Sequence, residues 1–246
     1  MFPDAGLMRA SQFEIYRLVQ RAMEALGAGY GVDRDAARMI AWLEARGLPG
    51  LAAFARDLPE LEHGLPVPAL SRQPSGTIFI DGGEGSAIAF AGAAMDLLAA
   101  AKTNGSARLV CRCSSPLFLI PAALEIARGR FLAIGWQSAG GAVSALLAGD
   151  GAVSLHARGA PEAALLAPAA GETVVEMAAI PLQAAAGLDL ALDAGALAER
   201  HVRSLNEGVE VPDALWKRLD AVAARVQVPA TSTSRERGAG GGDANI

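Results

Sequence analysis

Residues 76–113, GTIFIDGGEGSAIAFAGAAMDLLAAAKTNGSARLVCRC, decide the fold, together with the apolar segments that follow them. The short runs GTIFID and ARLVCRC flank a longer stretch of helical composition, which reads as strand, helix, strand. A helix beginning near Pro116 and the run RFLAIGWQ extend the order to strand–helix–strand–helix–strand. Right-handed crossovers then predict a parallel βαβαβ core of three strands, buried on both faces, because the runs are continuously apolar instead of alternating. Pro116 suits a first helical turn, with Ser115 as its cap.

Upstream, SQFEIYRLVQRAMEALG places Ser11 three residues before Glu14, a reciprocal pairing that satisfies free N–H groups at a helix start. A second helix follows in VDRDAARMIAWLEARG and a third over 51–61, and then comes the proline-bearing linker HGLPVPALSRQPSG. Downstream, AVSALLAGDGAVSLHA carries a hairpin signal at Gly149-Asp150-Gly151, and ETVVEMAAI offers one more strand, so the sheet is expected to be mixed. Helices are expected near 194–205 and in PDALWKRLDAVAARV, with Pro212 in the first turn. The chain divides into an N-terminal helical region, 1–75, an α/β sheet core with C-terminal helices, 76–228, and a glycine-rich tail, 229–246, all in one domain.

The 246 residues are 52% hydrophobic and 19% charged, with a net charge of −5. No basic surface is expected on which a nucleic-acid backbone would condense. The uncharged stretch 131–149, FLAIGWQSAGGAVSALLAG, is long enough to span a membrane, but Gln137, Ser138 and Gly140-Gly141 break it into two short strands joined by a turn. The N-terminus lacks a basic start followed by an apolar run, so a reducing cytoplasm is the expected home. Cys111 and Cys113 would share one strand face as buried thiols. His63, His156 and His201 show no metal-ligand spacing with them, and no metal is expected.

Two stretches carry candidate chemistry. In IFIDGGEGSAIAF the glycines open a helix where free N–H groups could meet a phosphate, although a tight turn needs glycine anyway. Ile88 stands where a dinucleotide fingerprint wants glycine, and the next strand ends in Arg112-Cys113 instead of an acidic residue. In CRCSSPLFLIP, Arg112, Ser114 and Ser115 sit at the carboxyl end of a strand, the edge where open α/β sheets place ligands. A serine nucleophile there would need His156 or His201 to approach in space.

The segments SQFEIYRLVQRAMEALGAGYGVDRDAARMIAWLEARGLPG, GVEVPDALWKRLDAVAARV and VPATSTSRERGAGGGDAN resemble the bacterial domain of unknown function family 3726. That resemblance implies no established activity, and it makes the tail part of the domain. More distantly, residues 11–137 resemble the malate and L-lactate dehydrogenase family with the non-Rossmann nicotinamide-binding fold. Arg46-Gly47 and Gly50 fall at that family's Arg-Gly and Ser-His-Gly motif, and Asp81, Gly82 and Gly85 fall at its strand-end glycine turn. The resemblance implies a homodimer, NAD or NADP as cofactor, and Asp81, Gly82 and Gly85 as cofactor-binding residues. Two departures stand out. Pro49 replaces the histidine of Ser-His-Gly, and Pro116 replaces the catalytic histidine after the second strand. Proline can neither give nor take a side-chain proton, so hydride transfer by the family's route is not expected.

The expected protein binds a small anionic metabolite through Arg46, Arg112, Ser114 and Ser115, with Ser234, Arg235, Gly238 and Gly240 folding over the site. Two alternatives stay open. One is an enzyme with a relocated proton carrier, Glu84, His156 or His201; the other is a non-catalytic subunit or regulatory partner.

Overall fold

The computed structural model describes residues 6–101 and 106–226. The chain begins with β1 (Leu7–Ala10), α1 (Gln12–Ala25), α2 (Val32–Glu44) and α3 (Gly50–Leu61). Ser11 and Glu14 form the reciprocal cap: the Glu14 amide donates to Ser11 Oγ at 3.2 Å, and the Ser11 amide donates to the Glu14 carboxylate at 2.7 Å. Those bonds hold the Glu14 carboxyl below its ordinary value. Ile15, Leu18, Val19, Ala22 and Met23 follow at helical spacing and are buried.

The sheet region contains β2 (Ala69–Arg72), β3 (Ile78–Asp81), α4 (Ala91–Ala100), β4 (Ala107–Arg112), α5 (Leu119–Ile126), β5 (Phe131–Ser138), β6 (Gly141–Leu147), β7 (Val153–Ala157), α6 (Pro161–Leu166), β8 (Glu172–Ala178) and β9 (Asp189–Leu192). Then come α7 (Ala194–Glu207), β10 (Val209–Pro212) and α8 (Asp213–Ala223). Eight strands form one mixed sheet in the order β2-β3-β4-β8-β5-β6-β7-β9, while β1 pairs with β10 apart from it.

The α/β class and the mixed sheet are as expected, but the three parallel strands are arranged differently. β3 and β4 form a parallel ladder; β8 then inserts between β4 and β5, antiparallel to both. The third strand runs in the expected direction without touching the second. The alternation of buried and half-buried residues in β8 fits this place, with Glu176 reaching Arg108 across the ladder at 3.2 Å. Local pattern fixes a strand's period, not its neighbours, so the insertion was not legible from the crossover alone.

The apolar stretch 131–149 is the hairpin β5–β6, turning at Ala139-Gly140. Glycine is required at that turn because a Cβ on Gly141 would stand 2.0 Å from the Arg158 carbonyl oxygen. The linker after α3 contains β2, exposed at every residue and therefore without an apolar signature. Pro212 ends β10 instead of entering the last helix. Among the described residues, no helix is long and apolar enough to cross a membrane. The buried side chains form one continuous cluster that includes Leu43, Phe54, Ile88, Phe118 and Trp136.

Candidate functional site

The parallel pair β3–β4 brings Asp81 and Arg112 side by side at its carboxyl end, where Arg112 Nη1 lies 3.4 Å from Asp81 Oδ2. The two following turns are laced together: the Gly82 amide donates to the Arg112 carbonyl and the Ser114 amide to the Gly85 carbonyl, both at 3.0 Å. A cavity of about 430 Å³ opens above them. Its walls are Arg56, Asp57 and Glu60 from α3, Gly83 and Glu84 from the first turn, Arg112 to Ser114 from the second, and the segment 168–171 before β8. This volume suits a small metabolite.

Ser115 is not a helix cap. The chain turns through a short 3₁₀ segment, Pro116–Phe118, before α5, and Ser115 makes no capping bond. Its buried hydroxyl donates to Asp57 Oδ2 and accepts from Arg56 Nη2. Arg56 also pairs with Asp57 at 2.7 Å and donates to the Leu166 carbonyl. Asp57 is only 3% exposed, and this cluster satisfies its charge. The sequence held a signal for it: Asp57 falls on the buried stripe Phe54–Leu58–Leu61, where an apolar residue belongs. Adjacent Arg56 and Asp57 thus tie α3 to the loop after β4 and to α6.

The strand-end glycines are explained by packing. A Cβ on Gly82 would meet the Phe90 ring and the Arg112 carbonyl oxygen at 2.9 Å, and one on Gly85 would meet Pro66 at 2.6 Å. The turn leads into a three-residue 3₁₀ segment, with buried Ser86 capping Ile88. Glu60 and Glu84 line the hollow beside these glycines. The faces that would approach a pyrophosphate are filled by protein, and the neighbouring side chains are acidic. The residues therefore fit a dinucleotide poorly at this turn.

The remaining candidates are dispersed. Arg46 stacks over the Trp42 ring at 4.1 Å and donates to the Trp42 carbonyl, away from the strand edge. Pro116 is buried beside Ser115. His156 Nε2 lies 3.3 Å from Ser154 Oγ on β7, and His201 on α7 lies 3.4 Å from Gln12 Nε2. Burial, and then the charge of Arg46, hold the His201 imidazole below its ordinary value. His63 is exposed, with Nδ1 2.6 Å from the Pro59 carbonyl oxygen. None of the three histidines lines the strand-edge cavity. Cys111 and Cys113 are buried free thiols, and their mutual hydrogen bond, then burial, push the Cys111 thiol up. Among the described residues, no cluster of His, Cys, Asp and Glu could hold a metal ion. Ser234, Arg235, Gly238 and Gly240 lie outside the described residues.

Two larger cavities lie elsewhere among the described residues. Pro49 lines one of about 610 Å³, bounded by the α2–α3 turn, α6, α7 and β10. The largest hollow, about 830 Å³, lies between α2, α4 and α5. It is remote from the strand edges, and its Arg38 is engaged by Asp35 and lies 3.8 Å from Glu125. Accordingly, size does not select the site; converging polar groups do.

A search of curated proteins finds no relative of this chain by sequence. Among solved structures, a dehydrogenase from Sinorhizobium meliloti is similar, with a TM-score of 0.67 and 16% identity over 89% of this chain and 100% of that one. Malate dehydrogenase from Pyrococcus horikoshii is similar with a TM-score of 0.66 and 12% identity over 93% and 98% of the two chains. Delta1-piperideine-2-carboxylate reductase from Pseudomonas syringae gives 0.56 and 13% over 87% and 99%. At these identities the likeness is one of fold, and it does not carry the neighbours' activities. Residues 10–106 match the family model described as Protein of unknown function (DUF3726), and the chain has the malate/lactate dehydrogenase-like fold.

Proposed function

We propose that the protein binds a small anionic metabolite at the carboxyl edge of β3 and β4, without the redox chemistry of its fold relatives. The observation that carries this reading is the convergence on one cavity of Arg112 and Ser114 with the Arg56–Asp57–Ser115 cluster. Arg112 is about half exposed, and its single contact with Asp81 is long, so its forked donors are available to a carboxylate or phosphate. Ser114 adds a hydroxyl on the same wall. Ser234, Arg235, Gly238 and Gly240 lie outside the described residues, and any part they take in binding is read from a chain ending at Val228.

Loss of hydride transfer rests on the two prolines where fold relatives carry imidazoles by resemblance. Of Glu84, His156 and His201 as relocated proton carriers, only Glu84 lines the strand-edge cavity, where it could serve as an acid or base. NAD or NADP belongs in the same ligand screen, as the resemblance implies, and a homodimer is read by light scattering.

The test is a thermal-shift screen against oxalate, malonate, inorganic phosphate, NAD and NADP, in the natural chain, in Arg112→Ala and in a chain ending at Val228. A carboxylate or phosphate should raise the melting temperature, less so in both variants. Equal stabilisation in all three proteins removes the site. Rapid NADH oxidation with 2-oxo acids contradicts the loss of redox chemistry.

A further inference from the structure

The second cavity holds charged groups that the strand-edge reading does not use. Glu44 ends α2, and its carboxylate accepts the Leu51 amide at 2.7 Å, capping α3 across the turn. Burial pushes this carboxyl up to about 7, against the opposing pull of the Leu51 and Gly50 amides. Across the cavity, α7 presents Arg200 and Arg203 one turn apart, with the buried Ser204 beside them. Arg200 Nη1 lies 3.5 Å from both the Arg46 and Gly47 carbonyl oxygens. Gly47 has φ of +64°, and a Cβ there would stand 3.3 Å from Arg200 Nη1, so the glycine turn is shaped to seat the guanidinium.

Among the described residues, neither Arg200 nor Arg203 has a carboxylate within ion-pair distance, whereas Arg9 is taken up by Glu210 at 3.4 Å. The cavity's other carboxylates are Glu162 on α6 and Glu207 on α7. The α7 wall therefore offers forked cations with Glu207 one turn beyond Arg203, and α2 and α6 bring the carboxyl groups of Glu44 and Glu162, with apolar Leu48, Pro49 and Val209 also lining the cavity. A dianion would meet the glutamates and a dication the arginines. Only a ligand with both signs close together satisfies both walls.

We propose that this cavity binds a zwitterionic α-amino acid, its carboxylate on Arg200 and Arg203 and its ammonium toward Glu44 and Glu207. Below about pH 7 Glu44 is neutral and offers the ammonium only a dipole; above it the carboxylate is charged. Affinity therefore rises from pH 6 to pH 8. The proposal stands independently of the strand-edge anion site.

The test is calorimetric titration with glycine, proline, glutamate and lysine, alongside malonate and 1,3-diaminopropane as single-sign controls. At least one amino acid should bind better than both controls and more tightly at pH 8 than at pH 6. Arg200→Gln should weaken it at least about tenfold. Glu44→Gln keeps an acceptor for the Leu51 amide and should flatten the pH dependence, while Arg112→Ala should leave binding unchanged. Thermal melts of each variant confirm folding. The proposal is overturned if no amino acid binds at millimolar concentration, if a control binds as well, if folded Arg200→Gln binds normally, or if Arg112→Ala abolishes binding.

Discussion

Asp57 and Glu44 belong to two cavities that flank the same stretch of chain: Leu166 lines one, Pro168 and Ala169 the other. Each carboxyl comes from the N-terminal helical layer, and each is withdrawn from water. Asp57 meets the guanidinium of Arg56 and the hydroxyl of Ser115. Glu44 meets backbone amides and no cation, and its proton is held to about 7. The contrast shows how one fold gives one buried acid a guanidinium and a hydroxyl as partners and another only backbone amides. Burial is what raises the Glu44 carboxyl, and the Leu51 and Gly50 amides offset it only in part.

The largest effect should come from breaking the Arg56–Asp57–Ser115 cluster. Asp57→Ala strands the Arg56 guanidinium and the Ser115 hydroxyl, and urea unfolding should register a loss of about 3 kcal/mol. A loss below about 1 kcal/mol would mean that the cluster is solvated. For Glu44 the sign is opposite to that of an ordinary ion-paired carboxylate. The folded chain holds the proton to about 7 while the unfolded chain releases it near 4.5, so stability falls as pH rises between those values. The fall attributable to Glu44 across that range should be about 2.5 kcal/mol, and Glu44→Gln should remove it, as read from urea midpoints.

Gly47→Ala puts a side chain into a left-handed turn against Arg200. It should cost about 1 kcal/mol and weaken amino-acid binding while sparing the strand edge. Arg112→Ala removes an exposed pair with Asp81 and should change stability by less than about 0.5 kcal/mol, so any lost ligand binding reflects contact instead of unfolding.

Much of this arrangement is written in local pattern. The Ser11–Glu14 cap, the β5–β6 hairpin and the strand–helix–strand order around β3 and β4 follow from spacing alone, because each is fixed within a few residues. The same holds for Arg112 and Ser114, which a strand end places at the sheet edge. Asp57, Arg200 and Glu44 reach their cavities through contacts between distant segments. Asp57 left a trace as a charge on an apolar stripe, and Glu44 left less, since a glutamate in a last helical turn resembles a solvated one. Arg200 has its guanidinium against Gly47, more than a hundred residues away in sequence, and no spacing rule finds that. The place of β8 between β4 and β5 is hidden for the same reason.

A crossed titration tests the division of labour most directly: the best carboxylate or phosphate and the best amino acid, each measured against Arg112→Ala and Arg200→Gln. The account predicts that Arg112→Ala loses the anion alone and Arg200→Gln the amino acid alone. If either substitution removes both ligands, or neither removes any, the two cavities do not have the separate roles assigned to them.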